Sequence, residues 1–231
     1  MRRGLIALAL ACMALGSRAG ADASYTVVRV EADKLRLYWQ DEAGQPFRRL
    51  DRLAAWLKGQ GRALAFGMNA GMYHADASPV GLLVIDGREL APLNLSNGQG
   101  NFFLKPNGVF LVDSQGPRVI DAVDYAGLRG GVRLATQSGP LLLKNGEIHP
   151  SLSPNSASRY IRNGVCALGS QAVFVISERP VTLHEFASHF RDALHCREAL
   201  YLDGAVSSLH SPTLGRNDRW SELGPLLAVV E

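Results

Sequence analysis

Two dipeptides constrain the fold of this chain more than anything else in it: Asp86-Gly87 and Asn145-Gly146. Asx-Gly is the residue pair that a two-residue hairpin turn demands, because both central positions need positive φ. Each pair follows a short apolar run, Val80–Ile85 in one case and Leu141–Leu143 in the other. Chains built from such units make antiparallel sheet. Similar runs recur along the sequence. Tyr25–Val30 and Leu35–Trp39 read as a first hairpin with Asp33-Lys34 near its turn. Ala63–Met68, Phe102–Leu104, Gly108–Val112, Arg118–Ala122, Val132–Thr136 and Gly224–Val230 read as further strands. Arg162–Leu168 and Ala172–Ser177 read as a pair across Gly169-Ser170. Two segments have helical spacing instead. Arg49–Leu57 places Leu50, Leu53, Ala54 and Leu57 on one face. The stretch opened by Thr182, with Glu185 three residues on as a capping box, places Leu183, Phe186, Ala187, Phe190 and Leu194 together. The expected class is α+β: a large, mainly antiparallel or mixed sheet with two principal helices in a single domain.

The N-terminus has a different character. Arg2-Arg3, the apolar run Leu5–Leu15 and Ala21-Asp22-Ala23 have the order of a cleavable export signal. The apolar run is too short to span a bilayer. Residues 1–23 are therefore expected to be a signal peptide and 24–231 the domain, exported to the periplasm or secreted, with no stable membrane insertion. Removing three Arg and one Asp from the chain's 24 basic and 21 acidic residues leaves 21 and 20. That near-balance gives no footprint of a nucleic-acid partner. Two of the three cysteines remain, Cys166 and Cys196. In an oxidising compartment they form a disulfide, or else they pack as buried thiols.

The run Ala199–Leu202 has the composition of a buried strand and stops at Asp203-Gly204, with Ser207-Ser208 close behind. An Asp at such a turn caps its own backbone, or it offers a carboxylate on a rigid edge with hydroxyls within reach. Asn69, Asn107 and Gln137 occupy the same kind of position, at strand ends beside glycine or proline. If those ends converge, they line a cleft of amides, hydroxyls and one carboxylate. Such a lining suits hydroxylated ligands, since each amide both donates and accepts. Arg162 stands just before a strand, either as a bidentate clamp for phosphate or as a surface arginine. Glu178, after the strand ending at Ser177, is the candidate second carboxylate, or a solvated turn residue before Pro180. The six histidines include no H-E-x-x-H, and no G-x-S-x-G is present. Neither a metal site nor a serine hydrolase is expected from spacing, and no cofactor is called for.

The motifs N-A-G-M-Y (Asn69–Tyr73), P-V-G-L-L-V-I-D-G (Pro79–Gly87), Q-S-G-P-L-L-L-K-N-G (Gln137–Gly146), R-N-G-V (Arg162–Val165) and L-D-G-A-V-S-S (Leu202–Ser208) occur in that order. Together they resemble the phosphodiester glycosidase family over nearly all of residues 24–231. Asn69 and Gly71 resemble the family's N-G-G turn, and Gly139-Pro140 its G-P-x-L segment. Arg162 resembles the arginine of an R-T pair, with Asn163 in place of Thr. Asp203-Gly204 and Ser207-Ser208 resemble its L-D-G-G-G-S-S, with Ala205-Val206 replacing two glycines. The resemblance implies hydrolysis of a sugar 1-phosphodiester in envelope or exopolysaccharide metabolism. Asp203, Arg162 and Glu178 would be catalytic. Asn69, Gly71, Asn107, Gln137, Ser138, Gly139, Asn163, Gly204, Ser207 and Ser208 would bind a carbohydrate or sugar-phosphate substrate. The competing expectation is a non-catalytic periplasmic polysaccharide-binding protein using the same cleft. The sequence leaves the oligomeric state open.

Overall fold

The computed structural model describes residues 24–128, 130–203 and 205–231. The expected signal peptide and Gly204 lie outside the described residues. In chain order the strands are β1 (Tyr25–Glu31), β2 (Leu35–Tyr38), β3 (Leu64–Asn69), β4 (Leu83–Ile85), β5 (Arg88–Ala91), β6 (Gly108–Asp113), β7 (Gly116–Asp121) and β8 (Leu134–Ser138). They continue as β9 (Leu141–Lys144), β10 (Glu147–Ile148), β11 (Asn163–Leu168), β12 (Gln171–Ser177), β13 (Ala199–Asp203), β14 (Leu209–Ser211), β15 (Arg216–Asn217) and β16 (Leu226–Val230). The helices are α1 (Leu50–Gly59), the single turn α2 (Ala122–Tyr125) and α3 (Leu183–Ser188), which widens into a π-helical turn over His189–Ala193.

Both Asx-Gly turns form as the residue types require. Asp86 and Gly87 have φ of 48° and 79°, and Asn145 and Gly146 of 56° and 84°. Every strand pairing among the described residues is antiparallel. The class is α+β as expected, with most of the fold in sheet. The strands divide among three sheets instead of extending one. A six-stranded sheet has the order β1-β12-β11-β13-β9-β10; two five-stranded sheets have the orders β15-β14-β3-β16-β2 and β5-β4-β8-β6-β7.

Two local expectations change. β1 and β2 are not hairpin partners: a 3-10 turn over Ala32–Lys34 redirects the chain, so β1 pairs with β12 and β2 with β16. Phe102 and Phe103 lie in a 3-10 turn (Asn101–Phe103), not a strand. Phe102 is buried there, and its carbonyl accepts from Asn107 Nδ2 at 2.9 Å.

The six-stranded sheet is buried on both faces, and the two-residue period of its strands decides which side chain goes where. In β13, Leu200 and Leu202 face the core shared by all three sheets, with Phe66, Met68, Phe110 and Phe174. Ala199 and Tyr201 face the other way, into a second core closed by Phe186 and Phe190 of α3 and its π-helical extension. Truncating one of those phenylalanines to Ala would cost about 3–5 kcal/mol. Thr182 and Glu185 form both halves of the capping box that starts α3. Cys166 and Cys196 are disulfide-bonded, with Cα atoms 6.3 Å apart, tying β11 to the segment after the helix. On the third side, Leu50, Leu53 and Leu57 of α1 pack on β3 and β16. This layering brings the ends of β3, β11 and β13 to one place.

Candidate active site

Asn163 opens β11 opposite Asp203, the last residue of β13, and the register shifts by a bulge immediately after Asn163. A bulge re-aims the side chain beside it. The Asn163 side chain is fully buried and hydrogen-bonded at both ends of its amide. Its Nδ2 donates to Asn69 Oδ1 at 3.0 Å and to the Asn69 carbonyl at 3.2 Å. Its Oδ1 accepts from the Asp203 backbone N–H at 3.0 Å and from Ser207 Oγ at 3.2 Å. Asn69 Oδ1 also accepts from the Ser208 backbone N–H at 2.9 Å. Ser207 Oγ approaches the Asp203 carbonyl at 2.6 Å. Two amides from two sheets thus clamp both ends of the segment between Asp203 and Ser208. Amides suit this position because each supplies donor and acceptor from one rigid plane.

Asp203 is half-buried, and its Oδ1 accepts from the Ala205 N–H at 3.1 Å. The capping reading of this residue is therefore realised locally. The charge reaches two tyrosines. Burial pushes the Tyr73 hydroxyl up to about 12, and the negative charge of Asp203 adds to the shift. Burial likewise raises Tyr201, with the guanidinium of Arg162 opposing and Asp203 again adding. Tyr73 Oη donates to the Glu222 carbonyl at 2.5 Å. Neither tyrosine stands out in the sequence: one closes an apolar-looking turn motif and the other sits inside an apolar strand.

The remaining sequence-derived residues fall into three groups. Arg162 is 1% exposed and points away from Asn163, onto the helix side of the sheet. Its Nε donates to the Val181 carbonyl at 2.8 Å, Nη1 to Tyr201 Oη at 3.0 Å and Nη2 to the Ser158 carbonyl at 2.9 Å. The second group is held by backbone. Gln137 Oε1 accepts from the N–H groups of Leu82 and Asn94, and its Nε2 donates to the Asn94 carbonyl. Asn107 holds the Phe102 carbonyl, and Ser138 Oγ donates to the Leu202 carbonyl at 2.7 Å, just behind Asp203. Gly71 and Gly139 are close-approach positions. A Cβ on Gly71 would sit 2.1 Å from the Gln137 carbonyl oxygen, and one on Gly139 2.7 Å from that of Phe102. Finally, Glu178 Oε1 accepts from Thr26 Oγ1 and from Arg216 Nη1, each at 2.5 Å.

A cavity of about 380 Å3 opens on this region, within the range of small-ligand sites. Ser177, Glu178, Val206, Ser207, Arg216 and Trp220 are among its walls. Trp220 is 84% exposed, far more than a tryptophan retained for packing. Arg216, which sequence reading missed, is held by Glu178 and by Asp218, the latter at 3.0 Å. Cavities of about 390 and 600 Å3 elsewhere contain none of the candidate catalytic or binding residues named from the sequence. Among the described residues no three His, Cys, Asp or Glu side chains gather to hold a metal. No helix among them is long and apolar enough to cross a membrane.

Residues 62–217 match the family model for phosphodiester glycosidase. The uncharacterized protein YigE of Escherichia coli (strain K12) is 36% identical over 190 residues, covering 81% of this chain and 73% of that protein. Among solved structures, the zebrafish N-acetylglucosamine-1-phosphodiester alpha-N-acetylglucosaminidase catalytic domain, auto-inhibited by its pro-peptide, superposes with a TM-score of 0.62. It is 12% identical, with 89% of this chain and 81% of that chain covered. A hypothetical protein from Synechocystis superposes with a TM-score of 0.52 at 14% identity, covering 89% of this chain and 58% of that chain. At these identities the two structures establish the fold.

Proposed function

Because the chain belongs to the phosphodiester glycosidase family, we propose that it hydrolyses a sugar 1-phosphodiester, with Asp203 as the general base. The observation that carries this reading is the amide clamp: Asn69 and Asn163 fix the backbone on both sides of a half-buried carboxylate at a strand end. Catalytic groups need that kind of support from rigid elements.

In the proposed reaction, Asp203 takes a proton from water as the water oxygen attacks the anomeric carbon. The bond from that carbon to the phosphate oxygen breaks, and its electron pair leaves with the phosphate monoester. Such a leaving group is a stable anion and needs little protonation, which lessens the usual demand for a second carboxylate as acid. It needs charge stabilisation instead. Arg216, paired with Glu178 and Asp218, and Arg159, paired with Glu185, bring guanidinium N–H donors to the cavity wall, with the hydroxyls of Ser177 and Ser207 beside them. Glu178 acts in this reading by orienting Arg216 and not as the acid. Trp220 offers an aromatic face for the sugar ring. Gln137, Asn107 and Ser138 act one step back, by fixing the loops around the clamp.

The residues expected to form an export signal support a reaction outside the cytoplasm, where envelope or exopolysaccharide phosphodiesters are the available substrates. Turnover of an aryl phosphodiester of a sugar tests the reading. Release of the aryl phosphate monoester, lost in Asp203→Asn, supports it. Tight binding of the sugar without turnover would instead favour a polysaccharide-binding protein, for which the exposed Trp220 would also serve.

A further inference from the structure

We propose that a second cavity, on the far side of β11 from Asn163, is an anion-binding site for a phosphate group, with Arg162 as its floor. The cavity measures about 210 Å3, and Ser151, Ser153, Ser156, Ser158, His184 and Arg162 are among its walls. It shares no lining residue with the 380 Å3 cavity beside Ser207.

The argument starts from the charge of Arg162. A guanidinium stays protonated in proteins, and burying one without an anion is expensive. Buried charges are therefore paired as a rule. Arg162 is the largest fully buried side chain of the described residues, and none of the ion pairs among them includes it. Its partners are neutral: the carbonyls of Val181 and Ser158, the hydroxyl of Tyr201, and Ser158 Oγ at 3.4 Å. The rings of Tyr160 and Tyr201 each lie 5.5 Å from its Cζ. Two aromatic faces and neutral acceptors hold the fork rigid and leave its full positive charge in place. One of the two N–H groups on Nη1 is not used by Tyr201.

The walls fit the same ligand. Serine hydroxyls donate to an oxyanion without bringing competing charge, and His184 adds a ring N–H donor. No carboxylate lines the cavity. At roughly 30 Å3 per water, the space holds a tetrahedral anion with a few waters to spare. The ligand chemistry is thus a phosphate group, free or carried on a sugar.

The test is isothermal titration of the full chain with inorganic phosphate at fixed ionic strength, with chloride as the control anion. A saturable site that Ser153→Asp weakens is expected, separate from any phosphate held in the cavity beside Ser207. Ser153→Asp, at an exposed loop position, sets a carboxylate on the wall; it should weaken phosphate at least tenfold with no loss of thermal stability. Arg162→Met should abolish the site if the variant folds. Asp203→Asn should bind phosphate as the wild type does, which separates this site from the proposed chemistry. A parallel titration with a sugar 1-phosphate distinguishes the source: tenfold tighter binding assigns the site to phosphate on a sugar, and equal binding to the free ion. Absence of a saturable site, or equal affinity in the wild type and Ser153→Asp, would overturn the proposal.

Discussion

Replacing Asn163 with Ala should be among the costliest single polar substitutions in this protein. The side chain is fully buried and makes hydrogen bonds to Asn69 Oδ1, the Asn69 carbonyl, the Asp203 N–H and Ser207 Oγ. Net bonds of this kind contribute about 1 kcal/mol each, and a buried donor left unpartnered costs about 1–3 kcal/mol. Ser207 keeps the Asp203 carbonyl as an alternative acceptor, so its bond is discounted. Three lost bonds and one orphaned N–H give about 4–6 kcal/mol. For a domain of this size that lowers the melting temperature by roughly 8–24 °C. Urea unfolding and thermal unfolding measure it directly. A companion substitution, Asn163→Asp, keeps the shape and turns an oxygen toward two oxygens of Asn69. The new carboxyl would be held neutral, with a folded pKa above the unfolded value. The unfolded chain then loses its proton first, so the penalty of Asn163→Asp should grow as pH rises above about 4. The Ala variant should show no such pH dependence of its penalty. A loss under about 1 kcal/mol for Asn163→Ala would refute the clamp, since the bonds assigned to it would not be holding the Asp203 turn.

Reduction of Cys166–Cys196, or Cys196→Ser, frees a loop closed over 30 residues and should cost about 3–4 kcal/mol by the chain-entropy relation, read as a lower urea midpoint. His149 is buried with its Nδ1 accepting from the Ser151 N–H, and burial is the main cause holding its pKa below 6.5. The unfolded chain therefore binds the proton first. Stability should be full above about pH 6.5 and fall as the pH drops toward the folded value, with a slope of at most about 1.4 kcal/mol per pH unit. His149→Gln should flatten that limb of the stability curve, and an unchanged limb would remove His149 as its cause.

Much of the clamp was legible because its residues obey local rules. Asn69, Asp203, Ser207 and Ser208 sit where apolar runs stop beside glycine or hydroxyl residues, and strands that end together make sites at their ends. Arg162 and Asn163 show the limit of such reading. They are adjacent, so a strand sends them to opposite faces. One joins the clamp and the other enters the helix-side core beside Tyr201. The bulge after Asn163 is a property of the pairing with β13 and leaves no mark in the local sequence. Gln137 was readable as a polar strand-end residue, yet the backbone it holds, at Leu82 and Asn94, lies 55 and 43 residues away. The same non-locality separates β1 from β2. Both have strand composition and a turn between them, but nothing in that turn states that β12 and β16 are the partners. Trp220 and Arg216 come from a segment with weak strand pattern, and only the folded chain sets them beside Ser207.

The proposed chemistry rests on Asp203, and one comparison tests it: the kcat of wild type and Asp203→Asn on an aryl phosphodiester of a sugar, with thermal unfolding of both proteins. The Asn side chain still accepts from the Ala205 N–H, so the turn and the melting temperature should be kept. Loss of a base and its charge should lower kcat by about 100-fold or more. A folded Asp203→Asn variant turning over at the wild-type rate would contradict the account.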